Sequence, residues 1–400
     1  MKITIFPYDC KGKRVSAPPS KSQAHRALIC SGLAEGKSHI SNIAMSDDIL
    51  ATIDCLRALG AEIECDTENM TAEVSGAGSY TGAELLMPCR ESGSTLRFMI
   101  PICAVSGAAA TLTGSPRLME RPISIYEKIL NEQGVIIEKT ETSLRIEGTL
   151  KGGEFHIPGN ISSQFVSGLL FALPLCGEDS ILRITEVVES KPYIDMTIEA
   201  LREHGVRVDR QGDSVLEIPG RQRYKPADIK IEGDWSNAAN LIAIGATVEG
   251  LKSESSQGDR FCIEMFHLLD EGTATLDISD CPDLAPILMA YAALRHGCIL
   301  HGTKRLRYKE SDRGEAMRTE LAKAGVRVLI DDDSIKVGCG VETPAESFYG
   351  HNDHRIVMAM SAICLRTGGS IEGAEAVRKS FPDYFDRLAE MGVTMKRDIC

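Results

Sequence analysis

Hydrophobic and polar positions repeat along this chain in a unit that returns six times. Its marker is Leu-x-x-x-Gly, at Leu56–Gly60, Leu130–Gly134, Leu201–Gly205, Leu268–Gly272, Leu321–Gly325 and Leu388–Gly392. After several of these glycines comes an alternating run: Ala61-Glu62-Ile63-Glu64, Val206-Arg207-Val208-Asp209 or Val326-Arg327-Val328-Leu329. Such a pattern predicts an amphipathic helix ended by Gly at its C-cap, then a half-buried strand. A second strand follows in some units, at Ser143–Glu147 and Ser334–Val337. The unit around Leu268 lacks one.

Upstream of the amphipathic helices lie segments that are apolar on every side and rich in Ala, Gly and Ser: Phe165–Leu175, Ala238–Ala246, Leu284–Leu294 and Ile356–Leu365. A helix apolar all round is buried all round, and small residues let it pack closely. The repeat therefore reads as buried helix, strand, amphipathic helix, strand and often another strand, an α/β arrangement. Six buried helices in 400 residues exceed one core, so two domains of three repeats are expected. The chain crosses between them near Pro18-Pro19, after an initial strand (Lys2 to Phe6), and again between Tyr224 and Asp234. We expect one domain from 1–18 with 229–400 and the other from 19–228. A ligand cleft is expected between them, since clefts at domain interfaces commonly bind ligands.

Composition narrows the class. Hydrophobic content of 43% and charged content of 25% are ordinary globular values. The net charge of −13 opposes nucleic acid or anionic membrane as partners, because both require a basic face. A local cluster of Lys and Arg can still hold a small anion on an acidic molecule. The thirteen cysteines include no Cys-x-x-Cys, so reduced thiols in a cytoplasmic protein are expected, with neither zinc site nor disulfide framework. The uncharged stretch Phe98–Pro116 holds Pro101, Gly107 and Gly114, and predicts a buried helix and a strand, not a membrane span.

Chemistry-bearing residues gather where buried helices begin. Pro18-Pro19-Ser20-Lys21-Ser22-Gln23-Ala24-His25-Arg26 opens the first, Glu91-Ser92-Gly93-Ser94-Thr95-Leu96-Arg97 the second, Ser162-Ser163-Gln164 the third and Asn352-Asp353-His354-Arg355 the sixth. Ser, Lys and free backbone N–H groups at a helix start suit an anion, although an N-cap with solvated basic residues is the commoner meaning of one such string. Gly93 lets a ligand approach the backbone closely. Two further charged strings, Arg305–Arg313 and Arg378–Tyr384, read as solvated loop and helix entry on composition alone. No P-loop or Gly-x-Gly-x-x-Gly is present, and no cluster has metal-ligand spacing, so no cofactor and no metal are expected.

Seven strings in order carry a resemblance: Pro18–Arg26, Gly114–Ile123, Ser162–Phe165, Ser190–Asp195, Lys309–Arg313, Asn352–Arg355 and Lys379–Asp383. Together the chain resembles the 5-enolpyruvylshikimate-3-phosphate synthase family of enolpyruvyl transferases over residues 1 to 395. The resemblance implies a two-domain inside-out α/β barrel, each domain three βαβαββ-like repeats with buried helices. It also implies an enzyme that moves the enolpyruvyl group of phosphoenolpyruvate to the 5-hydroxyl of shikimate 3-phosphate, releasing phosphate, on the route to chorismate and aromatic amino acids. By position, Asp283 resembles the carboxylate near the 5-hydroxyl, Glu310 the group exchanging a proton with the methylene carbon, and Lys21 a bridge between the substrates. Lys21, Ser22, Arg26, Ser162, Ser163, Gln164, Ser190, Tyr193 and Asp283 match the shikimate-3-phosphate side. Lys21, Gly93, Arg121, Gln164, Arg313, His354, Arg355 and Lys379 match the phosphoenolpyruvate side. A monomer is expected.

The chain departs from the commoner family pattern at Arg90-Glu91, where Gly-Asn is usual, at Ser94 for Thr, and at Arg305 for Asn. Competing readings are the enolpyruvyl transferase acting on UDP-N-acetylglucosamine, RNA 3′-phosphate cyclase and a non-catalytic paralogue. The first typically has Cys in the loop matching Gly114–Pro122, which holds none here. The second needs a nucleotide site and a basic RNA face. The third is opposed by the joint presence of Asp283, Glu310 and Lys21.

Overall fold

The computed structural model describes residues 1–78 and 84–398, so Cys400 lies outside the described residues. The chain divides into two compact units, Met1–Pro18 with Gly233–Cys400, and Pro19–Glu232. The second crossing falls at Glu232–Gly233, between Tyr224 and Asp234 and a little beyond the 228/229 boundary. Strand Asp228–Lys230 pairs with residues 39–41 of Glu35–Ser41 and so stays with the Pro19–Glu232 unit. Strand Arg14–Ser16 makes the reciprocal choice, pairing with Thr247–Glu249 in the other unit.

The repeat read from the sequence is also the unit of sheet topology. In the Pro19–Glu232 unit one sheet runs Leu85–Arg90, Ala110–Gly114, Ser143–Glu147, Ile136–Lys139. Its first pair is parallel and the others are antiparallel. Two more sheets of this unit and two of the other repeat that order. A parallel pair needs a crossover, and here the crossover is the all-round apolar helix. Helix Gly93–Ser106 fills that role between the first two strands above. The Leu268 unit lacks a second strand among the described residues, as expected: helix Cys262–Glu271 is followed by the one strand Ala274–Asp277, which begins the next sheet.

Helix Ala285–Ala293 is buried at every residue, and His354–Thr367 at all but its last two. Helices Gly93–Ser106 and Ser163–Ala172 approach so closely that a Cβ on Gly168 would lie 2.6 Å from the Arg97 carbonyl and 2.1 Å from the Tyr126 hydroxyl. That contact fixes Gln164, one turn earlier, against the second helix. Helix Gly93–Ser106 and strand Ala110–Gly114 occupy the uncharged stretch as expected, and no helix among the described residues is long and apolar enough to cross a membrane.

Two local expectations shift. Val206–Asp209 was expected as a strand, but pairing begins only at Asp209, because the Arg207 N–H donates to the Gln222 side chain instead of a neighbouring strand. The apolar segment Ala238–Ala246 is helical over Trp235–Ala243 and ends in a turn at Gly245, whose φ is 91°.

Candidate functional site

In the Pro19–Glu232 unit, Ser20 caps helix Lys21–Leu33 by accepting from the Gln23 N–H. Lys21 and Ser22 thus stand in a first turn that has no acidic residue. Lys21 Nζ donates to Asp48 Oδ2 at 2.8 Å, from the first turn of helix Asp47–Ala58. Arg26 is buried and braced: Nε donates to Thr197 Oγ1 at 2.9 Å, and its two terminal nitrogens to the carbonyls of Ser22 (2.6 Å) and Tyr193 (2.8 Å). Burial pushes this guanidinium down to about 10. Arg26 thereby ties the Ser22 turn to helix Lys191–Glu203, before which Ser190 holds a left-handed φ of 55°.

The second and third buried helices meet at their starts. Ser92 caps Gly93–Ser106 and Ser162 caps Ser163–Ala172. Gln164 joins them, accepting from Arg97 at 2.7 Å and donating to Ser94 Oγ at 2.9 Å. Gly93 and Arg121 form a second junction. A Cβ at position 93 would lie 2.0 Å from an Arg121 terminal nitrogen, so the guanidinium occupies space that only glycine leaves open.

A buried relay connects this junction to the Lys21 helix. Thr95 Oγ1 donates to Ser92 Oγ (2.8 Å), Thr52 and Thr95 hydroxyls lie 2.7 Å apart, and Thr52 meets His25 Nδ1 at 2.7 Å. Each hydroxyl has one proton, so the chain runs one way, with His25 donating from Nδ1. Burial, then Lys21 and Arg26, push His25 well below its ordinary value, so it is neutral.

In the Met1–Pro18 and Gly233–Cys400 unit, the expected residues assemble around one cation. Arg313, 1% exposed, opens helix Arg313–Lys323 and pairs with Asp353 (Nε, 2.9 Å), Asp283 (2.7 Å) and Glu310 (2.8 Å). Burial alone would lower its affinity for a proton; Asp353, Glu310 and Asp283 overcome that and hold it well above its usual value. Asp283 also accepts from Lys309 at 2.9 Å, and Arg355 stands 4.0 Å away. Burial would raise Asp283, yet Lys309, Arg313 and Arg355 hold it well below the carboxylate range. Burial lowers Lys309.

Asp353 caps helix His354–Thr367 by accepting from the Arg355 N–H, so one carboxylate fixes a helix start and the central cation together. His354 and Arg355 are buried in its first turn. Asn237 Oδ1 accepts from Arg355 at 3.1 Å, and the Arg355 Nε is buried without a hydrogen-bond partner among the described residues. Lys379 Nζ donates to the Asn352 carbonyl at 2.7 Å.

Several residues here were not singled out from the sequence. Lys309, Asp353 and Arg97 lie inside the chemistry-bearing strings but carried no role there. Asn237 and Asp48 had no signal beyond lying near a helix start, and only the fold gives them partners. The departures also find places: Ser94 binds Gln164, Arg90 pairs with Asp54 at 2.5 Å, and Arg305 donates to the Ser279 carbonyl.

A family model, EPSP synthase (3-phosphoshikimate 1-carboxyvinyltransferase), matches residues 10–388. The chain is 39% identical to a 3-phosphoshikimate 1-carboxyvinyltransferase of Clostridium kluyveri, over 98% of this chain and 97% of the relative. It is 38% identical to one of Clostridium perfringens, over 99% of each. Among solved structures, EPSP synthase from Acinetobacter baumannii superposes with a TM-score of 0.79 at 22% identity over the whole of both chains. The enolpyruvyl transferase NikO from Streptomyces tendae gives 0.78 at 16% identity, covering 100% of this chain and 99% of that one. The seven strings, the six repeats and these full-length matches agree: the chain belongs to the EPSP synthase family, the 3-phosphoshikimate 1-carboxyvinyltransferases.

Proposed function

We propose that this chain transfers the enolpyruvyl group of phosphoenolpyruvate to the 5-hydroxyl of shikimate 3-phosphate, and that its two units divide the work. The observation that carries this reading is the assembly on Arg313: Asp283 and Glu310, the carboxylates expected to move two protons, share one buried guanidinium beside Lys309 and Arg355. The reaction adds a hydroxyl across a double bond and then expels phosphate. It needs a base for the hydroxyl, an acid for the methylene carbon and cations for the charge that moves.

Asp283 is ionised, the form a base requires, and Glu310 is the carrier for the methylene proton. Phosphoenolpyruvate is the anion for Arg313, Arg355 and Lys379, and the unpartnered Arg355 Nε gives its oxygen a ready donor. Anion oxygens that take over Arg313 and Lys309 leave Asp283 with fewer cations and therefore more basic. In the other unit Lys21, Ser22, Ser162, Ser163 and Gln164 stand in helix first turns without acidic residues, or at the cap just before one, as a phosphorylated acceptor requires. Gly93 and Arg121, in that same unit, belong to the phosphoenolpyruvate set, so turnover requires both units. The protein acts without cofactor, as a cytoplasmic monomer.

Phosphate release from phosphoenolpyruvate, measured with each acceptor in turn, tests the reading. Release is expected with shikimate 3-phosphate and not with UDP-N-acetylglucosamine. Silence with the first acceptor, or turnover with the second, overturns it.

A further inference from the structure

Helix Arg313–Lys323 is fastened to the turn before helix His354–Thr367 at two points. Arg313 binds Asp353 at one end. Two helical turns later, on the same face, Glu320 reaches the other side of the turn. Its side chain is 1% exposed, and its oxygens accept from the Tyr349 N–H (2.8 Å), His351 Nε2 (2.7 Å) and Lys323 Nζ (2.8 Å). A buried carboxylate with three donors is fully satisfied, and these contacts hold it below its ordinary value although burial alone would raise it.

The turn it grips is strained. His351 and Asn352 both have left-handed backbones, with φ of 49° and 52°, and neither is glycine. Two consecutive residues there persist only where their surroundings over-determine them. The constraints are visible: Gly350 N–H donates to the Glu372 carbonyl, Asp353 N–H to the Gly350 carbonyl, and Glu320 takes hold of Tyr349 and His351. What the strained residues deliver lies next along the chain. The Asn352 carbonyl receives Lys379, and Asp353 receives Arg313 and caps the turn that carries Arg355.

We infer that Glu320 and His351 are positioning residues for anion binding in this unit, holding the strained turn so that Lys379, Arg313 and Arg355 keep their places. Neither belongs to the substrate contacts proposed above. The inference rests on that functional reading for the identity of the anion, phosphoenolpyruvate, and on the geometry alone for the tether.

Two readouts test it. Glu320→Ala should raise KM for phosphoenolpyruvate at least tenfold while leaving KM for shikimate 3-phosphate within about twofold, with kcat falling less than KM rises. Amide exchange should quicken at least tenfold across Tyr349–Asp353. His351→Ala should act in the same direction, and His351→Gln, which can still donate to Glu320, should recover most of the loss. A merely structural role would move both KM values together or only lower stability. Because Glu320→Ala leaves the Tyr349 N–H and His351 without this acceptor, it could fail to fold; the His351 pair, at a residue 26% exposed on its side chain, then decides. Unchanged exchange in the turn, an unchanged phosphoenolpyruvate KM, or a His351→Gln no better than His351→Ala overturns the inference. If the parent chain releases no phosphate, the functional reading fails on its own, and amide exchange still tests the tether.

Discussion

Arg355 owes its orientation to one amide. Asn237 is wholly buried, donates through Nδ2 to Ser380 Oγ at 3.1 Å, and presents Oδ1 to the guanidinium. A carboxylate of the same shape would keep both partners, because the Ser380 hydroxyl can rotate to donate. It would also add a charge directly on the cation meant for substrate. Asn237→Asp should therefore fold normally and raise KM for phosphoenolpyruvate at least tenfold, with that for shikimate 3-phosphate nearly unchanged. Steady-state kinetics on both substrates checks this, and an unaltered phosphoenolpyruvate KM would remove Arg355 from the binding set. Arg313 illustrates a different economy. With three carboxylates around it, the resting site already holds the negative charge that a ligand must displace or share.

Helix starts divide the two units chemically. In the Pro19–Glu232 unit the side-chain caps are serines, at Ser20, Ser46, Ser92, Ser115 and Ser162. In the other unit they are aspartates, at Asp234, Asp312 and Asp353. Serine satisfies the N–H groups without cancelling the positive end of the helix dipole, whereas aspartate cancels much of it. Ser162→Asp makes the distinction measurable. Asp caps as well as Ser and should leave thermal stability unchanged or slightly higher, while raising KM for shikimate 3-phosphate at least tenfold. A stable variant with normal acceptor kinetics would refute anion binding at that helix start. The caps also show what the sequence could reveal. Leu-x-x-x-Gly and the apolar segments exposed the repeat because periodicity is local. The strings at helix starts drew out Lys21 and Gln164 because composition there is unusual, whereas Arg313, in a string that reads as solvated loop on composition alone, stood out only through the family resemblance. Gln222 capturing the Arg207 N–H, or Glu320 gripping Tyr349, joins residues with no shared local pattern, and such contacts follow only from the fold.

At the scale of the molecule, the units should answer acid differently. His25 and His204 are both buried in the Pro19–Glu232 unit and both lowered from 6.5, chiefly by burial. Their unfolded forms take up protons at a higher pH than the folded ones, so this unit's stability is full above about 6.5 and falls as pH drops below it. In the other unit Asp283 and Glu320 are lowered from 3.8 and 4.5, and the stability they contribute persists until pH falls below those values. Trp235, the chain's single tryptophan, lies in that second unit and reports on it alone. Urea unfolding at pH 5.5 should show circular dichroism declining before tryptophan fluorescence, with the gap closing at pH 7.5. Midpoints that shift together would count against the assignment. The central place of strand Lys2–Ile5, between Gly369–Glu372 and Met395–Asp398, has one more consequence. During synthesis its partners emerge about 370 residues after it, on the order of 20–70 s at ordinary translation rates. Meanwhile the Pro19–Glu232 segment can fold, while Ile3 and Ile5, fully buried in the finished protein, wait uncovered. The nascent chain therefore carries an unpaired apolar strand while the intervening residues are made, open to pairing with other chains until its own partners arrive.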